Sequence, residues 1–334
     1  MTEHTNPPIL VLGNGGWGTA LAMILHSNGH AVGVWGHDAA YSEEIEDTRE
    51  NRKYLPGVRI PDGIRFGTEI STLATEVETV FSVIPTQFLR TTLQGLQEQL
   101  PPRALYVTCS KGFERKTLEL PSRIIQSCLP AAEIAVLSGP SHAEETSLGL
   151  PTTVVVASHD DTLAAKIQQI ISTDTFRVYT STDARGAEVA GASKNVIALA
   201  AGISDGLGFG DNARAALVCR GASEITRLGA ALDCEKEAFT GLSGIGDLVA
   251  TCTSTHSRNH KVGYRIGQGE TLDEILSSSE KVAEGVETTR SMHQLAEKIS
   301  VELPITTEVY RVLFENKPPR QAVGDLMRRE LKRE

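Results

Sequence analysis

Lys194 lies in a segment where a lysine is unexpected. Between residues 189 and 203 the only polar side chains are Ser193, Lys194 and Asn195, and a helix that is apolar on all sides is normally buried. Burial lowers the pKa of a lysine from about 10.4 toward the ~7–8 that suits proton transfer near neutral pH. We therefore predict that Lys194 is catalytic; the alternatives are a lysine that reaches the surface or forms a salt bridge. Asn195 would position a substrate oxygen or hold the ammonium group, unless the helix backbone satisfies its amide.

Two further polar groups follow in the second half of the chain. Asp247 lies at the end of the glycine-rich run 241–247, and we predict that it pairs with Lys194 or with a substrate hydroxyl. The alternative is a simple acid at a helix start. Residues 253–261 (TSTHSRNHK) bring hydroxyls, an amide and basic groups together, among them Ser257, Arg258 and Asn259. This combination favours phosphate binding, because Arg offers a bidentate fork and the other two groups can donate to the remaining oxygens; a polar surface loop is the alternative.

Near the N-terminus, residues 13–18 read GNGGWG and fit the pattern G-x-G-x-x-G between the apolar run 9–12 and a predicted helix. In this context Gly13 permits a tight turn, Gly15 lets the backbone approach a pyrophosphate, and Gly18 lets the helix pack closely on the strand. The helix N-terminus adds N–H groups and partial positive charge. The motif predicts a dinucleotide site, whereas a plain tight turn is the alternative.

The elements that must position these groups differ between the two halves of the chain. Up to about residue 183, short β-branched runs alternate with helical stretches, which indicates a Rossmann-type doubly wound, mostly parallel sheet. The predicted strands are 9–12, 31–35, 79–84, 105–109, 134–137, 153–157 and 176–179. Beyond this point only helices are predicted. We therefore predict an NAD(P)-binding Rossmann domain of residues 1–185 and an all-helical C-terminal domain of residues 186–334 that carries the substrate and catalytic groups.

Short polar motifs in the first half each follow a predicted strand directly. They occupy residues 13–18, 36–38, 85–88, 110–113 and 138–143. In open α/β sheets, ligands bind outside the carboxyl ends of the strands. The spacing therefore predicts that one edge of the sheet carries a nucleotide and further polar contacts, although loops are commonly polar in any case.

Composition excludes several classes of protein. The 334 residues are 40% hydrophobic and 22% charged with a formal net charge of −10, which is typical of a globular protein and argues against non-specific nucleic-acid binding. The five cysteines are widely spaced and form no C-x-x-C, so neither a disulfide framework nor a metal site is predicted. No signal peptide or transmembrane segment is predicted, and we expect a cytoplasmic protein.

Taken together, these segments closely resemble the NAD(P)-dependent glycerol-3-phosphate dehydrogenase family of the bacterial, soluble type. The matching segments are GNGGWGTALA (13–22), WGHD (35–38), SKGFE (110–114), SGPSHAEE (138–145), GASKNVIALAAGISDGLGFGDNARAAL (191–217), GLSGIGDLVATCT (241–253), SRN (257–259) and VAEGVETT (282–289). The resemblance implies reversible reduction of dihydroxyacetone phosphate to sn-glycerol 3-phosphate with NADH or NADPH, which in bacteria supplies phospholipid synthesis. It also implies a homodimer.

Residue by residue, the resemblance assigns Lys194 as the catalytic lysine, which delivers a proton while the nicotinamide delivers a hydride. The substrate-binding residues predicted from the motifs and the resemblance are Lys111, Gly139, Ser141, Lys194, Asn195, Asp247, Ser257, Arg258 and Asn259. The predicted cofactor-binding residues are Gly13, Gly15, Gly16, Trp17, Gly18, His37, Lys111, Ala143, Arg258, Val282 and Glu284.

Two alternatives are weighed against this function. Another β-hydroxyacid-type dehydrogenase acting on a phosphorylated substrate would also carry a lysine on the first helix after the Rossmann domain, but the triplet 257–259 and the glycine-rich run 241–247 argue against it. A non-catalytic dinucleotide sensor is disfavoured because Lys111, Lys194 and Asp247 are all present.

The choice between the two cofactors depends on the end of the second predicted strand. An acid that closes this strand would hydrogen-bond the ribose 2′-hydroxyl of NAD and repel the 2′-phosphate of NADP. Here Gly36 and His37 occupy the turn and Asp38 lies beyond them. We therefore expect use of both NAD and NADP, with a preference for NADPH.

Overall fold

The computed structural model describes residues 6–73, 75–278, 283–331 and 333, and the chain divides into two compact units. Unit 1 comprises residues 1–111 and 120–187, and unit 2 comprises residues 112–119 and 188–334. The short segment 112–119 clusters with unit 2 although both of its chain neighbours belong to unit 1. The assignment of this segment to unit 2 depends on contacts between residues that are distant in sequence. A local sequence pattern does not predict such contacts.

Unit 1 is built on an eight-stranded sheet with the strand order β10-β9-β8-β7-β6-β1-β2-β5, and β3 and β4 form a separate antiparallel pair. The strands are β1 (Asn6–Leu12), β2 (His30–Trp35), β3 (Glu50–Asn51), β4 (Leu55–Arg59), β5 (Ile64–Gly67), β6 (Thr79–Ser82), β7 (Leu105–Thr108), β8 (Glu133–Ser138), β9 (Thr152–Ala157) and β10 (Phe176–Ser181). Among the neighbouring pairs of the large sheet, only β8 and β9 are antiparallel. The predicted doubly wound, mostly parallel sheet is therefore confirmed.

The described part of unit 1 also contains seven helices, which separate most of these strands. They are α1 (Gly16–Ser27), α2 (Ala39–Thr48), α3 (Ile70–Leu73), α4 (Thr86–Leu96), α5 (Pro121–Cys128), α6 (Ala143–Thr146) and α7 (Asp161–Ile171). The predicted strands do not include β3, β4 and β5. The missed strands are short, and β5 carries Arg65 and ends in Gly67, so none of them shows the continuous apolar run of a central strand.

The core of unit 1 lies on both faces of the sheet. Along β1 the side chains alternate: Ile9 and Val11 join one buried cluster, whereas Leu10 and Leu12 join another. This alternation follows from the two-residue period of a strand. It explains why the buried strands show apolar runs, since both of their faces are covered by helices.

All regular elements in the described part of unit 2 are helical, as predicted for the C-terminal half. The long helix α8 (Ala184–Gly206) begins in unit 1 and continues into unit 2. The others are α9 (Gly210–Ala231), α10 (Lys236–Thr240), a π-helical turn (Leu242–Gly246), α11 (Asp247–Thr253), α12 (Arg258–Gly267), α13 (Leu272–Ser277), α14 (Glu284–Lys298), α15 (Pro304–Phe314) and α16 (Pro319–Met327). No helix in the described ranges combines the length and hydrophobicity needed to cross a bilayer.

Candidate active site

The centre of unit 2 is a buried lysine–carboxylate–hydroxyl cluster. Lys194 on α8 is only 7% exposed, and its Nζ donates to Oδ1 of Asp247 at 2.5 Å and to Oγ1 of Thr251 at 2.7 Å. The Thr251 hydroxyl in turn donates to the same Asp247 oxygen at 3.3 Å. The predicted proximity of Lys194 and Asp247 is therefore present in the structure, and Thr251 is an additional member that sequence reasoning missed.

The π-helical turn and α11 position the two partners of Lys194. Asp247 is the first residue of α11, and Thr251 follows one helical turn later on the same face. The preceding turn is tight, because a Cβ atom at Gly244 would lie 2.2 Å from the carbonyl oxygen of Phe239. The spacing of four residues between Asp247 and Thr251 was the available signal for the missed hydroxyl.

The surroundings of this cluster are of low polarity. Burial raises the pKa of the neighbouring Cys252 thiol to about 12, an effect that the nearby Lys194 ammonium only partly opposes. The thiol therefore stays protonated and does not compete with Lys194 as a proton-transfer group. In such surroundings the Asp247 carboxylate stabilises an ammonium that burial alone would disfavour.

The N-terminus of α12 presents the predicted phosphate-binding triplet. Ser257 caps this helix, its Oγ accepting from the backbone N–H of His260 at 3.2 Å. The Arg258 side chain is exposed and has no ion-pair or hydrogen-bond partner among the described residues. Asn259 is buried, and its Oδ1 accepts from the backbone N–H of Gly285 at 2.9 Å. An uncommitted guanidinium beside a helix N-terminus is a suitable binding group for a phosphate dianion.

Two more predicted residues of unit 2 lie near the triplet or the lysine. Asn195 is buried, and its side-chain amide makes no hydrogen bond within the described part of the chain, so the backbone does not satisfy it. Glu284 begins α14 and is half-buried. Val282 lies outside the described residues.

In unit 1 the glycine motif forms the turn from β1 into α1. Gly13 adopts a φ of +119°, and a Cβ at Gly18 would lie only 1.9 Å from the Gly13 carbonyl oxygen. At Gly15, apart from its two chain neighbours, no described residue has an atom within 4 Å of the Cβ position. No side chain caps α1, and its first turn contains no acid. Open space next to the uncapped backbone N–H groups at the start of α1 is suitable for binding the pyrophosphate of a dinucleotide.

The loops after β7 and β8 bring several predicted residues together at the same end of the sheet. Nζ of Lys111 donates to the carbonyl oxygen of Gly139 at 3.3 Å, and Oγ of Ser141 donates to the same oxygen at 3.1 Å. The Cβ of Ala143 lies 3.6 Å from the Cβ position of Gly16 in the glycine loop. The polar loops that follow β1, β7 and β8 therefore lie close to one another within unit 1.

The remaining cofactor candidates in unit 1 lie around this loop. Trp17 is half-buried, and the centre of its ring lies 6.3 Å from that of Phe176. His37 is exposed after β2. The carboxylate of Asp38 caps α2 by accepting from the backbone N–H of Tyr41 at 3.1 Å, so it points back onto its own helix.

Known proteins match this chain along nearly its whole length. The family model described as NAD-dependent glycerol-3-phosphate dehydrogenase N-terminus matches residues 8–164, and the corresponding C-terminus model matches residues 183–324. The chain belongs to this family. The resemblance seen in the sequence motifs is therefore confirmed, and neither the broader β-hydroxyacid group nor a dinucleotide sensor is needed to explain the chain.

Individual members of the glycerol-3-phosphate dehydrogenase family are similar over the full fold. Proteins named glycerol-3-phosphate dehydrogenase (NAD(P)+) from Lysinibacillus sphaericus and Chlorobium phaeobacteroides are 49% and 47% identical over 329 residues, which cover 98% of this chain and 97% and 98% of the relatives. The crystal structure of glycerol-3-phosphate dehydrogenase from Coxiella burnetii has a TM-score of 0.93 at 34% identity, covering 97% of this chain and 99% of that one.

One buried residue of this dehydrogenase that sequence reasoning missed supports the glycine loop. Asn51 is fully buried, and its Nδ2 donates to the Asn14 carbonyl at 2.9 Å and to the Thr19 hydroxyl at 2.8 Å. Its Oδ1 accepts from the Tyr41 hydroxyl at 2.5 Å and from the backbone N–H of Tyr54. Asn51 lies in the short strand β3, far from the motif in sequence, and no local pattern marks it.

Proposed function

We propose that this chain catalyses the reversible reduction of dihydroxyacetone phosphate to sn-glycerol 3-phosphate with NADH or NADPH. The observation that carries this proposal is the buried contact of Lys194 with Asp247 and Thr251. Within a family of NAD-dependent glycerol-3-phosphate dehydrogenases, a buried ammonium is the group that can protonate an alkoxide. The role that we assign to the reaction is the supply of glycerol phosphate for phospholipid synthesis.

The proton step follows from the chemistry of a ketone. When bound, the cofactor supplies a hydride to the carbonyl carbon, which leaves negative charge on the carbonyl oxygen. Nζ of Lys194 donates a proton to that oxygen, becomes a neutral amine, and regains a proton from solvent. Before transfer, the ammonium stabilises the developing charge. Asp247 and Thr251 hold Nζ in place, and Asn195 would orient the substrate oxygen.

Binding of the substrate phosphate is assigned to the triplet at the start of α12. Arg258 would make a bidentate contact, with Ser257 and Asn259 beside it, and Lys111, Gly139 and Ser141 are further proposed substrate contacts. Because the phosphate is remote from the reacting carbon, its binding energy would orient a very small substrate.

The dinucleotide is assigned to unit 1, and residues 1–185 and 186–334 are the proposed cofactor and substrate domains. The proposed cofactor contacts comprise the glycine loop (Gly13, Gly15, Gly16, Trp17 and Gly18), His37, Lys111 and Ala143, together with Arg258 and Glu284. For the choice of cofactor we propose a preference for NADPH. The support is that the Asp38 carboxylate is engaged as the cap of α2.

Two properties of the whole protein complete the proposal. We propose a homodimer in the cytoplasm. The support for both is the family resemblance. Sedimentation equilibrium of the purified protein would test the dimer.

A substrate panel tests the proposed reaction. Oxidation of NADPH and of NADH would be followed at 340 nm with the ketones dihydroxyacetone phosphate and dihydroxyacetone. Reduction of NADP+ and of NAD+ would be followed at the same wavelength with the alcohols sn-glycerol 3-phosphate, 6-phosphogluconate and hydroxyisobutyrate. We expect dihydroxyacetone phosphate to exceed dihydroxyacetone, and sn-glycerol 3-phosphate to exceed the other two alcohols, by at least about 100-fold in kcat/KM, and KM for NADPH to be below KM for NADH. Turnover confined to a β-hydroxyacid would overturn the assignment, and a lower KM for NADH would overturn the cofactor preference alone.

A further inference from the structure

Helices α8 and α12 pack with their backbones in direct contact. A Cβ at Gly202 would lie 2.1 Å from the carbonyl oxygen of His260, and one at Gly263 would lie 2.1 Å from that of Leu199. One helical turn farther along, a Cβ at Gly206 or at Gly267 would collide in the same way with the backbone of the other helix. The contacts advance in the same direction along both helices, so the two helices run parallel. The backbone N–H of Gly285 donates to Asn259, and a Cβ at Gly285 would lie 2.8 Å from the carbonyl oxygen of Asn195, so the start of α12 lies near the Lys194–Asn195 pair.

Hydrogen bonds from both ends of α12 reach the C-terminal end of α8. Near the start of α12, Nε2 of His260 lies 2.7 Å from Oδ2 of Asp205 on α8. A carboxylate only accepts, so this ring nitrogen carries the hydrogen. At the end of α12, Nε2 of Gln268 donates to the carbonyl oxygen of Gly206 at 2.5 Å. The other oxygen of Asp205 accepts from Nε of Arg214 on α9 at 3.1 Å.

His260 connects this contact to the proposed phosphate-binding triplet. Its backbone N–H donates to Oγ of Ser257, the residue that caps α12 directly before Arg258, while its ring binds Asp205. The same residue therefore fixes the cap and anchors the first turn of α12 to α8. Asp205 is half-buried and close enough to Cys252, the neighbour of the Lys194 cluster, to interact with it electrostatically.

From this geometry we propose that Asp205 and His260 are positioning residues that hold the phosphate-binding turn, Ser257 to Asn259, at a set distance from Lys194. Glycine contacts bring α8 and α12 together but supply no side chain that would fix the register of the two helices. The Asp205–His260 hydrogen bond fixes this register in the first turn of α12, where the triplet lies. This inference rests on the proposed function, because it assumes that the triplet binds the substrate phosphate and that Lys194 serves the carbonyl oxygen.

The test compares variants that break the Asp205–His260 contact with variants that keep it. His260→Ala and Asp205→Ala remove the contact, whereas His260→Gln retains an N–H donor at nearly the same reach. Asp205→Asn is a milder second variant, because its amide cannot accept from both His260 and Arg214. The matched control is Asp211→Ala, since Asp211 is exposed and also pairs with Arg214, at 3.3 Å, but does not contact His260.

For His260→Ala and Asp205→Ala we expect KM for dihydroxyacetone phosphate to rise at least about fivefold, with kcat and KM for NADPH within about twofold of wild type. His260→Gln and Asp211→Ala should match wild type, and Asp205→Asn should be intermediate. The ratio of kcat/KM for dihydroxyacetone phosphate to that for unphosphorylated dihydroxyacetone should fall about fivefold, because only the phosphate contact is displaced. Inorganic phosphate should inhibit these variants more weakly.

A purely structural role would give a different pattern. Partial unfolding lowers the active fraction, so kcat would fall with KM unchanged and both substrates would lose equally; that pattern, or unchanged KM in His260→Ala and Asp205→Asn, would overturn the proposal. If the Ala variants do not fold, the comparison of Asp205→Asn with His260→Gln decides. Failure of the proposed function is distinguishable, because the wild-type protein itself would then show no preference for dihydroxyacetone phosphate.

Discussion

In unit 1 the proposed binding site is made of backbone, whereas in unit 2 it is made of side chains. The glycine loop depends on the absence of side chains. A Cβ at Gly18 would lie 1.9 Å from the Gly13 carbonyl oxygen, and the space at the Cβ position of Gly15 is open. The Lys194 cluster instead depends on side-chain atoms that are present: a buried amine on α8 and its two acceptors on α11. Substitutions that add atoms should therefore damage the first site, and substitutions that remove them should damage the second.

The largest expected effect is at Lys194. Lys194→Ala removes the proposed proton donor, so kcat should fall at least about 100-fold, the scale of general acid catalysis. The dissociation constant of NADPH, measured by fluorescence titration, should stay within about twofold. Lys298→Ala, an exposed lysine at the end of α14, is the control. A kcat near the wild-type value in Lys194→Ala would show that this side chain is not the proton donor, and unit 2 would then lose its proposed catalytic group.

At Arg258 the loss should appear in binding. Arg258→Ala removes a charge-assisted bidentate contact, so KM for dihydroxyacetone phosphate should rise about 10- to 100-fold with kcat nearly unchanged. Arg258→Lys keeps the charge but loses the fork, and it should recover only part of the affinity. A loss expressed in kcat alone would contradict uniform binding of the phosphate by this residue.

Substitutions at two glycines of unit 1 should distinguish the effect of the loop on folding stability from its effect on NADPH binding. Gly18→Ala should lower the free energy of unfolding by about 1–3 kcal/mol through overpacking and weaken NADPH binding about tenfold. Gly15→Ala should weaken NADPH binding similarly yet leave the free energy of unfolding within about 0.5 kcal/mol, since no described residue beyond its chain neighbours has an atom within 4 Å of the new methyl group. Gly95→Ala, on the exposed face of α4, serves as control. If Gly15→Ala and Gly18→Ala lost equal free energy of unfolding, the space at the Cβ position of Gly15 would not be open.

The effect that is smallest near neutral pH concerns the thiol beside the Lys194 cluster. Burial raises the pKa of Cys252 to about 12, whereas an unfolded chain loses this proton above about pH 8.5. Folded protein therefore binds more protons between these values, and the wild-type free energy of unfolding should fall by up to about 1.4 kcal/mol per pH unit from this thiol. Urea unfolding between pH 8 and 10.5 should show Cys252→Ala approaching wild-type stability as pH rises. A constant difference would argue against a buried, protonated thiol.

Local signals in the sequence were enough for the fold class and the cofactor class. Buried strands such as β1 and β7 are continuous apolar runs, and helices such as α7 have clear boundaries, because these features depend on neighbouring residues. The edge strand β5, the antiparallel pairing of β8 with β9 and the placement of segment 112–119 depend on contacts between distant residues. Family membership and use of NAD or NADP are confirmed, whereas the roles of individual site residues stay predictions.

For the site itself, the sequence alone determined which groups carry chemistry: the glycines between a strand and a helix, a lysine inside an apolar helix, and an arginine between a serine and an asparagine. Each is recognisable because its local setting is energetically unusual. Only the tertiary structure decided the partners: Thr251, 57 residues from Lys194, Asn51 under the glycine loop, and His260 against Asp205. Those pairs form because packed helices and strands bring remote residues within hydrogen-bond distance, which no local pattern encodes.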